Sequence, residues 1–509
     1  VYFLFFASGI TALIYEIVWT RMLTLVFGHT VFSVSVVLAA FMAGLGLGSY
    51  LFGFAADRLS LNNPDSSAEA LKVYGWIEVL IFVSAALLSL LFANFAEVYS
   101  LFHRFIPETS LLQNFLKVLF SFTLILVPTT FMGATLPLIS KYCVTDDKRI
   151  GKQVSLLYAL NTLGAAFGCL VTGFFLMGTF GVLQTVLIAA AGNLFIGISA
   201  LSIYKEYGDS LKFKFPEIKI PKAVWSPEQK FWMGISFICG FTALAYEVLW
   251  TRLLVFSIAS TVYSFSMMLT VFLLGIFLGS LLLIPLLSKI KNLRTILIAL
   301  QGGVGIYVIG SIYGLDSILS PPWNAYNLGN PFATFWKYFK DSAALMLVPT
   351  LLLGMCFPIL IQLISKKHEN VGQATGQVYA ANTMGAIFGS LFAGFLFLPN
   401  FGSQVSLTLL ATINLLTMVL LFRTGDYLAP AVRKGLTVIF ASLILFVNMA
   451  IPNDLLNSFF MRDSAGKRNI NKLMYFEEGL SDTVAVFEDE YGMLDPSAKR
   501  LITNGISMS

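Results

Sequence analysis

The sequence predicts an all-α polytopic membrane protein: two six-helix bundles in parallel repeat, then an extra C-terminal transmembrane helix and a short β segment. Three observations predict this fold. The 509 residues are 57% hydrophobic and only 12% charged, whereas soluble chains carry about 25% charged residues. The mean hydropathy is +0.81, and about twelve apolar stretches reach the roughly 20 residues that cross a bilayer. Finally, long blocks of the sequence occur twice in the same order.

The apolar stretches fall into two sets of six. The first set begins near Val1, Val31, Val73, Val118, Val154 and Gly181, and the second near Phe231, Thr261, Leu293, Ala343, Gln377 and Gln404. A further candidate runs from Gly435 to Ile451. We predict a first membrane repeat over 1–204, a basic cytoplasmic linker over 205–230, a second repeat over 231–424, a thirteenth helix over 432–451 and a β segment over 470–509.

Two blocks define the repeat. GITALIYEIVWTRML from Gly9 recurs as GFTALAYEVLWTRLL from Gly240, and YALNTLGAAFG from Tyr158 recurs as YAANTMGAIFG from Tyr379. The offsets are 240 − 9 = 231 and 379 − 158 = 221, which places an insertion between the blocks, after Arg58. Six crossings per copy give both copies one orientation, so the repeat axis runs along the membrane normal.

Lysine and arginine are distributed unevenly between the loops. With a cytoplasmic N-terminus, the outer loops hold only Arg104, Lys117, Lys337 and Lys340, and the other loop lysines and arginines fall inside. Because cytoplasmic loops carry the excess of these residues, we expect a multi-pass protein of the cell inner membrane with its N-terminus in the cytoplasm. A thirteenth helix that spans would carry the segment after Ile451 to the extracytoplasmic side.

Two charged pairs occupy equivalent places in the repeats: Glu16 with Arg21, and Glu247 with Arg252. A charge at the bilayer centre costs about 2.5–3.5 kcal/mol, so such residues face a bundle interior and mark a partner or a pathway. Five residues at about 100° each separate Glu16 from Arg21 by roughly 140° around the helix, so pairing across the two halves is expected instead. Two interpretations stay open: a structural charge clamp between the halves, or a central site for a cation or protons.

Aromatic residues flank these charges: Tyr15, Trp19, Tyr246 and Trp250. They would add cation–π contacts to a cation site, or serve as packing. Four prolines inside apolar spans remove helical hydrogen bonds and predict kinks with a structural or gating role: Pro128, Pro137, Pro349 and Pro358. Asn161 and Asn382, in glycine-rich helices, predict interhelical hydrogen bonds. A third intramembrane carboxylate, Glu78, has no clear counterpart in the second half, and either a proton-linked role or a local hydrogen bond is open.

The segment GSYLFGFAADRLS resembles the loop signature of the major facilitator superfamily, in which Gly53, Asp57 and Arg58 would lock the inner ends of neighbouring helices. The doubled YE-x-x-WTR and YA-x-NT-x-GA-x-x-G blocks resemble bacterial membrane proteins that fuse a facilitator-type transporter to a spermidine synthase. The resemblance covers essentially the whole chain. It implies two MFS-like bundles and a polyamine or another small organic cation as the substrate.

The tail after Leu473 alternates apolar and polar residues, as an antiparallel β segment does. By the same resemblance it is similar to the small N-terminal β domain of spermidine synthases, with Asn504-Gly505 as a hairpin turn. In that family the donor-binding and catalytic domain follows, and it is absent before Ser509. We therefore expect either a fragment of a spermidine synthase-like parent or a chain that has lost the enzyme part, and we assign no catalytic residue.

Two functions follow as hypotheses. The first is a transporter, or a protein derived from one, that binds or moves polyamines or other organic cations. The second is a non-transporting membrane scaffold that anchors a synthase-like domain or a membrane or extracytoplasmic protein partner. The four cysteines form no CxxC spacing and the three histidines are scattered, so neither a metal nor a cofactor is predicted. The lipid bilayer is the expected surrounding, and nucleic acid is not an expected partner.

Overall fold

The structure, a computed structural model, describes residues 1–27, 30–59, 66–94, 110–144, 146–205, 226–258, 262–289, 292–319, 331–365, 370–425, 429–452, 455, 470–478, 483–489, 499–503 and 506–507. It confirms the predicted all-α polytopic membrane fold. Within these ranges, ten helical stretches are long and apolar enough to cross a membrane. Two of them, Ile150–Lys205 and Val371–Arg423, have 56 and 53 residues, which is enough for two crossings each. The described residues thus supply twelve crossings, six in each repeat.

The first repeat contains α1 (Tyr2–Phe27), α2 (Thr30–Leu59), α3 (Ser66–Ala93), α4 (Ser110–Cys143), α5 (Ile150–Val171) and α6 (Met177–Lys205). The second contains α7 (Pro227–Ile258), α8 (Val262–Lys289), α9 (Leu293–Tyr313), the short α10 (Leu315–Ile318), α11 (Pro331–Ser342), α12 (Val348–Ile364), α13 (Val371–Leu391) and α14 (Leu398–Arg423). The helix α15 (Pro430–Ala450) follows, at the place predicted for the thirteenth helix. Its 21 residues are long enough to cross a bilayer, and the crossing itself stays a prediction.

Local sequence explains where two of the second-repeat helices begin. At the start of α7, the Gln229 N–H donates to Ser226 Oγ at 3.2 Å and the Ser226 N–H donates to Gln229 Oε1 at 3.1 Å. This is a capping box, and Pro227 occupies the first turn, where its missing N–H is not needed. At the start of α9, the Asn292 side chain accepts the Arg294 N–H at 3.2 Å. Both caps satisfy backbone donors that a helix leaves unpaired at its N-terminus.

The two longest helical stretches are broken at equivalent glycines. Gly181 has φ 78° and Gly402 has φ 71°, a backbone region that glycine adopts without a steric penalty. A π-helical segment precedes each break, Thr172–Leu176 and Phe392–Phe397. The helix α4 is continuous through Pro128 and Pro137. In the described residues of α4 and of the two long stretches, the backbone therefore departs from α geometry at the two glycines and the π turns. It does not depart at Pro128 or Pro137.

The helices divide into two compact units. Unit 1 comprises Val1–Phe241, Ile276–Lys291 and Gly354–Phe388, and unit 2 comprises Thr242–Gly275, Asn292–Leu353 and Gly389–Ser509. Unit 1 holds the first repeat together with one end of α7 and of α8 and with most of α12 and α13. Contacts between the two repeats therefore occur inside unit 1. The division does not follow the predicted domain boundaries, which stay a prediction.

The C-terminal part of the chain forms a four-stranded antiparallel sheet in the order β1-β2-β3-β4. Its strands are β1 (Ile470–Glu478), β2 (Thr483–Asp489), β3 (Lys499–Thr503) and β4 (Ile506–Ser507). Phe476 lies opposite Ala485, and Thr503 lies opposite Ile506. The predicted turn residues Asn504 and Gly505 lie outside the described residues, as do Arg104, the three histidines and residues 206–225 of the predicted linker.

Candidate functional site

Glu16 lies in the second half of the α1 crossing, inside unit 1. Its side chain is half-buried. Among the described residues, its carboxylate has neither a hydrogen bond nor an ion pair within unit 1. It lies within electrostatic range of the Tyr379 hydroxyl. A carboxylate this deep in a membrane helix is costly without a partner, so the geometry leaves Glu16 available to a charged ligand or a proton.

Aromatic rings from both repeats pack together in unit 1, and Tyr379 among them lies within electrostatic range of Glu16. The ring centroids of Tyr158 and Phe357 are 4.6 Å apart, and those of Phe357 and Tyr379 are 5.7 Å apart. Tyr158 and Tyr379 are repeat mates, and both are half-buried. Together with Glu16 they form what we call the acidic-aromatic site: Glu16, Tyr158, Phe357 and Tyr379. Aromatic faces beside a carboxylate suit an organic cation.

The other predicted charges fall in different environments. Arg21 is exposed and makes no ion pair with the described residues of unit 1. In unit 2, Glu247 is half-buried and Arg252 is buried, with 8% of its surface exposed, and both have interactions in the structure. Pairing of Glu16 with Arg252 and of Glu247 with Arg21 across the halves stays a prediction.

The four predicted aromatic residues are fully buried and stacked in pairs. Tyr15 stacks on Trp19 with ring centroids 5.0 Å apart, and Tyr246 stacks on Trp250 at 4.9 Å. The indole N–H of Trp19 donates to Ser89 Oγ at 3.0 Å. The indole N–H of Trp250 has no hydrogen-bond partner among the described residues. These pairs pack within their own units, and their contact with a bound cation stays a prediction.

Both tyrosines instead anchor a buried chain of hydrogen bonds. In unit 1, the Tyr15 hydroxyl donates to Asn193 Oδ1 at 2.9 Å, and Asn193 Nδ2 donates to Glu78 Oε2 at 2.6 Å. We call Tyr15, Asn193 and Glu78 the first triad. It links α1, α6 and α3, and all three side chains are buried.

The same arrangement recurs in unit 2. The Tyr246 hydroxyl donates to Asn414 Oδ1 at 2.8 Å, and Asn414 Nδ2 donates to Gln301 Oε1 at 2.7 Å. This second triad links α7, α14 and α9. It corrects the expectation that Glu78 lacks a counterpart: Gln301 is its structural equivalent, at an offset of 301 − 78 = 223. A carboxylate in the first repeat corresponds to a carboxamide in the second, and the offset of 223 differs from those of both repeat blocks. For these two reasons the sequence did not show that Glu78 and Gln301 are equivalent.

Asp57 lies at the C-terminal end of α2, at the predicted cytoplasmic side of unit 1. Its carboxylate accepts the backbone N–H groups of Gly372 at 3.1 Å and Gln373 at 2.6 Å, both in the first turn of α13. Lys141 Nζ lies 3.3 Å from Asp57 Oδ1. A carboxylate at a helix N-terminus satisfies unpaired donors and favours the helix dipole. We call Asp57, Lys141 and these two N–H groups the Asp57 latch.

The other two signature residues have different surroundings. Gly53 lies against α13, where a Cβ would come within 2.8 Å of the Gly372 carbonyl oxygen, so only glycine allows this approach. Arg58 is half-buried and makes no ion pair with the residues that the structure describes around it. The latch therefore joins the first repeat to α13 of the second repeat through Asp57, while Gly53 permits the contact.

The predicted asparagines lie at equivalent helix contacts of unit 1. Asn161 Nδ2 donates to the Phe5 carbonyl at 3.1 Å, and Asn382 Nδ2 donates to the Ser236 carbonyl at 3.2 Å. A Cβ at Gly164 would overlap the Phe6 carbonyl oxygen, and one at Gly385 would overlap the Phe237 carbonyl oxygen. The helix pairs α1/α5 and α7/α13 thus approach at backbone distance, as small residues allow in membranes.

The predicted prolines lie in α4 and α12. Pro128 and Pro137 are buried inside α4, and Pro358 is inside α12. Pro349 is the second residue of α12 and follows the π-helical segment Ala343–Leu347. At that place its missing N–H coincides with the change from π to α hydrogen bonding.

Several site residues were not predicted: Lys141, Asn193, Gln301, Phe357 and Asn414. The asparagines carried a usable signal, because Asn193-Leu194 and Asn414-Leu415 repeat at the second-block offset of 414 − 193 = 221. Lys141 carried none, since its counterpart at that offset is Gln362.

No protein-family profile matches this chain. It is 24% identical over 214 residues to polyamine aminopropyltransferase 1 of Streptomyces coelicolor, which covers 41% of this chain and 37% of that protein. The match thus spans little more than a third of that relative.

Several solved transporter structures align with most of this chain at low sequence identity. A bacterial homologue of the iron transporter ferroportin in an outward-facing state is 12% identical, with a TM-score of 0.49 over 87% of this chain and 99% of that one. The proton:xylose symporter XylE is 12% identical, with a TM-score of 0.48 over 83% and 95%. The E. coli fucose:proton symporter FucP is 12% identical, with a TM-score of 0.45 over 83% and 98%.

Proposed function

We propose that this protein is a membrane transporter of the major facilitator type whose cargo is a small organic cation of the polyamine class. The observation that carries the proposal is the acidic-aromatic site of unit 1. There, the half-buried Glu16 carboxylate has no partner among the described residues of its unit and lies within electrostatic range of Tyr379, whose ring packs with those of Phe357 and Tyr158. An ammonium group would neutralise the carboxylate and contact the ring faces.

The repeats support the transport part of the proposal. Twelve crossings in two parallel repeats suit alternating access, in which one bundle moves against the other around a site near the midplane. The Asp57 latch would hold the predicted cytoplasmic ends of the two repeats together in one state and release them in another. Its bonds are few and lie at a helix end, so they can open without unfolding a helix.

The polyamine class is supported by chemistry and by the partial relative. A polyamine carries several ammonium groups on an apolar chain, which matches a carboxylate among aromatic rings. The Streptomyces coelicolor relative is named for a transfer to polyamines, and a transporter of that cargo would serve such chemistry. Orientation in an inner membrane, with the N-terminus in the cytoplasm, belongs to the same proposal.

Binding of spermidine to the purified chain in detergent tests the proposal by titration calorimetry. The variant Glu16→Gln should weaken spermidine binding at least tenfold while the protein still unfolds at the wild-type temperature. Glu228→Gln is the matched control, because Glu228 is an exposed acid at the start of α7, and it should bind as the wild type does. Equal affinity in wild type and Glu16→Gln would refute the site.

A second candidate is a non-transporting anchor for a synthase-like domain or a partner complex. It is favoured by the antiparallel sheet that follows α15 and by the partial likeness to an aminopropyltransferase. In that case spermidine would bind only to the residues from 470 onward, and removal of 470–509 would abolish binding. Binding that survives this deletion and depends on Glu16 would favour the transporter.

A further inference from the structure

The first triad contains a buried acid, Glu78, on which no cationic side chain acts among the residues that the structure describes. Glu78 has 0% of its surface exposed. One of its oxygens, Oε2, accepts the Asn193 amide at 2.6 Å, and the other, Oε1, has no hydrogen-bond partner. A buried carboxylate in a membrane helix is normally paired with a cation or with several donors. Among the described residues, Asn193 is the one donor in hydrogen-bond geometry with Glu78, and the hydroxyls of Ser8 and Tyr74 lie close enough to interact with its carboxyl group.

The groups that face Glu78 are all uncharged. They are Tyr74 from its own helix, Ser8 and Tyr15 from α1 and Asn193 from α6. From α4, Cys143 approaches Tyr74, and α2 contributes no charged group among the described residues that act on Glu78. The Tyr74 hydroxyl is fully buried and also lacks a hydrogen-bond partner. The Tyr74 hydroxyl can donate to Glu78 or accept from it, and a protonated carboxyl group adds a second donor to this pair.

The second triad is an internal comparison for the charge of this site. Gln301 is buried at the equivalent position and accepts the equivalent asparagine at 2.7 Å, against 2.6 Å at Glu78. Glutamine is neutral and has the shape of a protonated glutamate. The two triads therefore share the same bond geometry, and in unit 2 the group that accepts the asparagine amide is neutral.

We propose that Glu78 is a proton-binding site of the membrane domain, occupied by a proton whenever α3 is packed against α1 and α6 as in this structure. Loss of the proton would leave a charged carboxylate in a fully buried site, where the hydrogen bonds from Asn193, Ser8 and Tyr74 oppose a larger desolvation cost that water would relieve. Separation of α3 from α1 and α6 admits water. Protonation of Glu78 is therefore linked to the packing of these three helices. This inference does not depend on Glu16 or on any cargo.

Infrared spectroscopy of the full chain in detergent tests the proposal. The band of a protonated carboxyl group should be present in the wild type at neutral pH and missing in Glu78→Gln. Gln301→Glu is the matched variant, and it should gain a second such band at the equivalent site of unit 2. A wild-type spectrum identical to that of Glu78→Gln in this region would overturn the proposal, since Glu78 would then be ionised.

The pH dependence of stability gives an independent readout. A proton held in the folded state and released on opening stabilises the protein at low pH, and that contribution is lost as pH rises. The melting temperature of the wild type should therefore fall with rising pH more steeply than that of Glu78→Gln, which should keep the fold as Gln301 does. Parallel curves for the two proteins would contradict the proposal. So would a Glu78→Gln chain that does not fold, because the site would then require the ionised acid.

Discussion

The carboxylate of Asp57 accepts the backbone N–H of Gln373 at 2.6 Å, so the end of α2 holds the start of α13. A hydrogen bond to a charged group contributes about 1.5–3 kcal/mol. We expect Asp57→Ala to lower the free energy of unfolding by about this amount, and the melting temperature in detergent measures the loss. Arg58→Gln, at the neighbouring position without an ion pair to the described residues, should melt close to the wild type. Equal losses in both variants would show that the latch does not act through Asp57.

Glycine is required where helices meet at backbone distance. At Gly164 a Cβ would overlap the Phe6 carbonyl oxygen, whereas at Gly234, on α7, nothing lies within 4 Å. We expect Gly164→Ala to destabilise the protein by about 1–3 kcal/mol through overpacking, and Gly234→Ala to be neutral or stabilising by about 0.4–1 kcal/mol. Thermal melting of the two variants in one detergent makes the comparison. A melting temperature for Gly164→Ala at or above that of Gly234→Ala would contradict the close approach of α1 and α5.

The Ser89 hydroxyl oxygen accepts a hydrogen bond from the buried indole N–H of Trp19 at 3.0 Å. Ser89→Ala leaves that N–H without a partner, which costs about 1–3 kcal/mol in a buried site. Ser84→Ala, on the same helix, removes a hydroxyl that bonds only its own helix backbone, and it should cost less. The difference in melting temperature between the two variants measures the Trp19 bond, and no difference would mean that the bond contributes nothing to stability.

Membrane orientation is tested with reporter fusions. The lysine and arginine distribution predicts that Lys222 is cytoplasmic and, with α15 spanning the membrane, that residues after Pro452 are extracytoplasmic. Alkaline phosphatase should be active after Pro452 and inactive at Lys222. Activity at neither position would place α15 on the membrane surface instead of across it.

The sequence alone predicted the all-α polytopic membrane fold and its helices, its repeated blocks identified Asn161 and Asn382 as equivalent positions, and a short signature singled out Asp57. These features depend on the length of apolar segments, on repeated sequence blocks or on a short local motif, and all three can be recognised in a single sequence. The two triads were not predicted, because each joins three helices that are far apart in the chain. In addition, Glu78 and Gln301 are different residue types. Burial was also beyond prediction: the sequence left both a cation contact and packing open for Tyr15, and the structure places its hydroxyl in a buried chain of hydrogen bonds.

Transport in proteoliposomes tests the central claim most directly. Wild-type protein reconstituted at a single lipid ratio should carry radiolabelled spermidine across the membrane faster than protein-free vesicles, and glucose should not be carried. Glu16→Gln should lose most of the spermidine flux at an unchanged melting temperature, while Glu228→Gln should retain it. Spermidine flux in Glu16→Gln equal to that of the wild type, or no flux above protein-free vesicles in the wild type, would contradict a polyamine transporter with its cation site at Glu16.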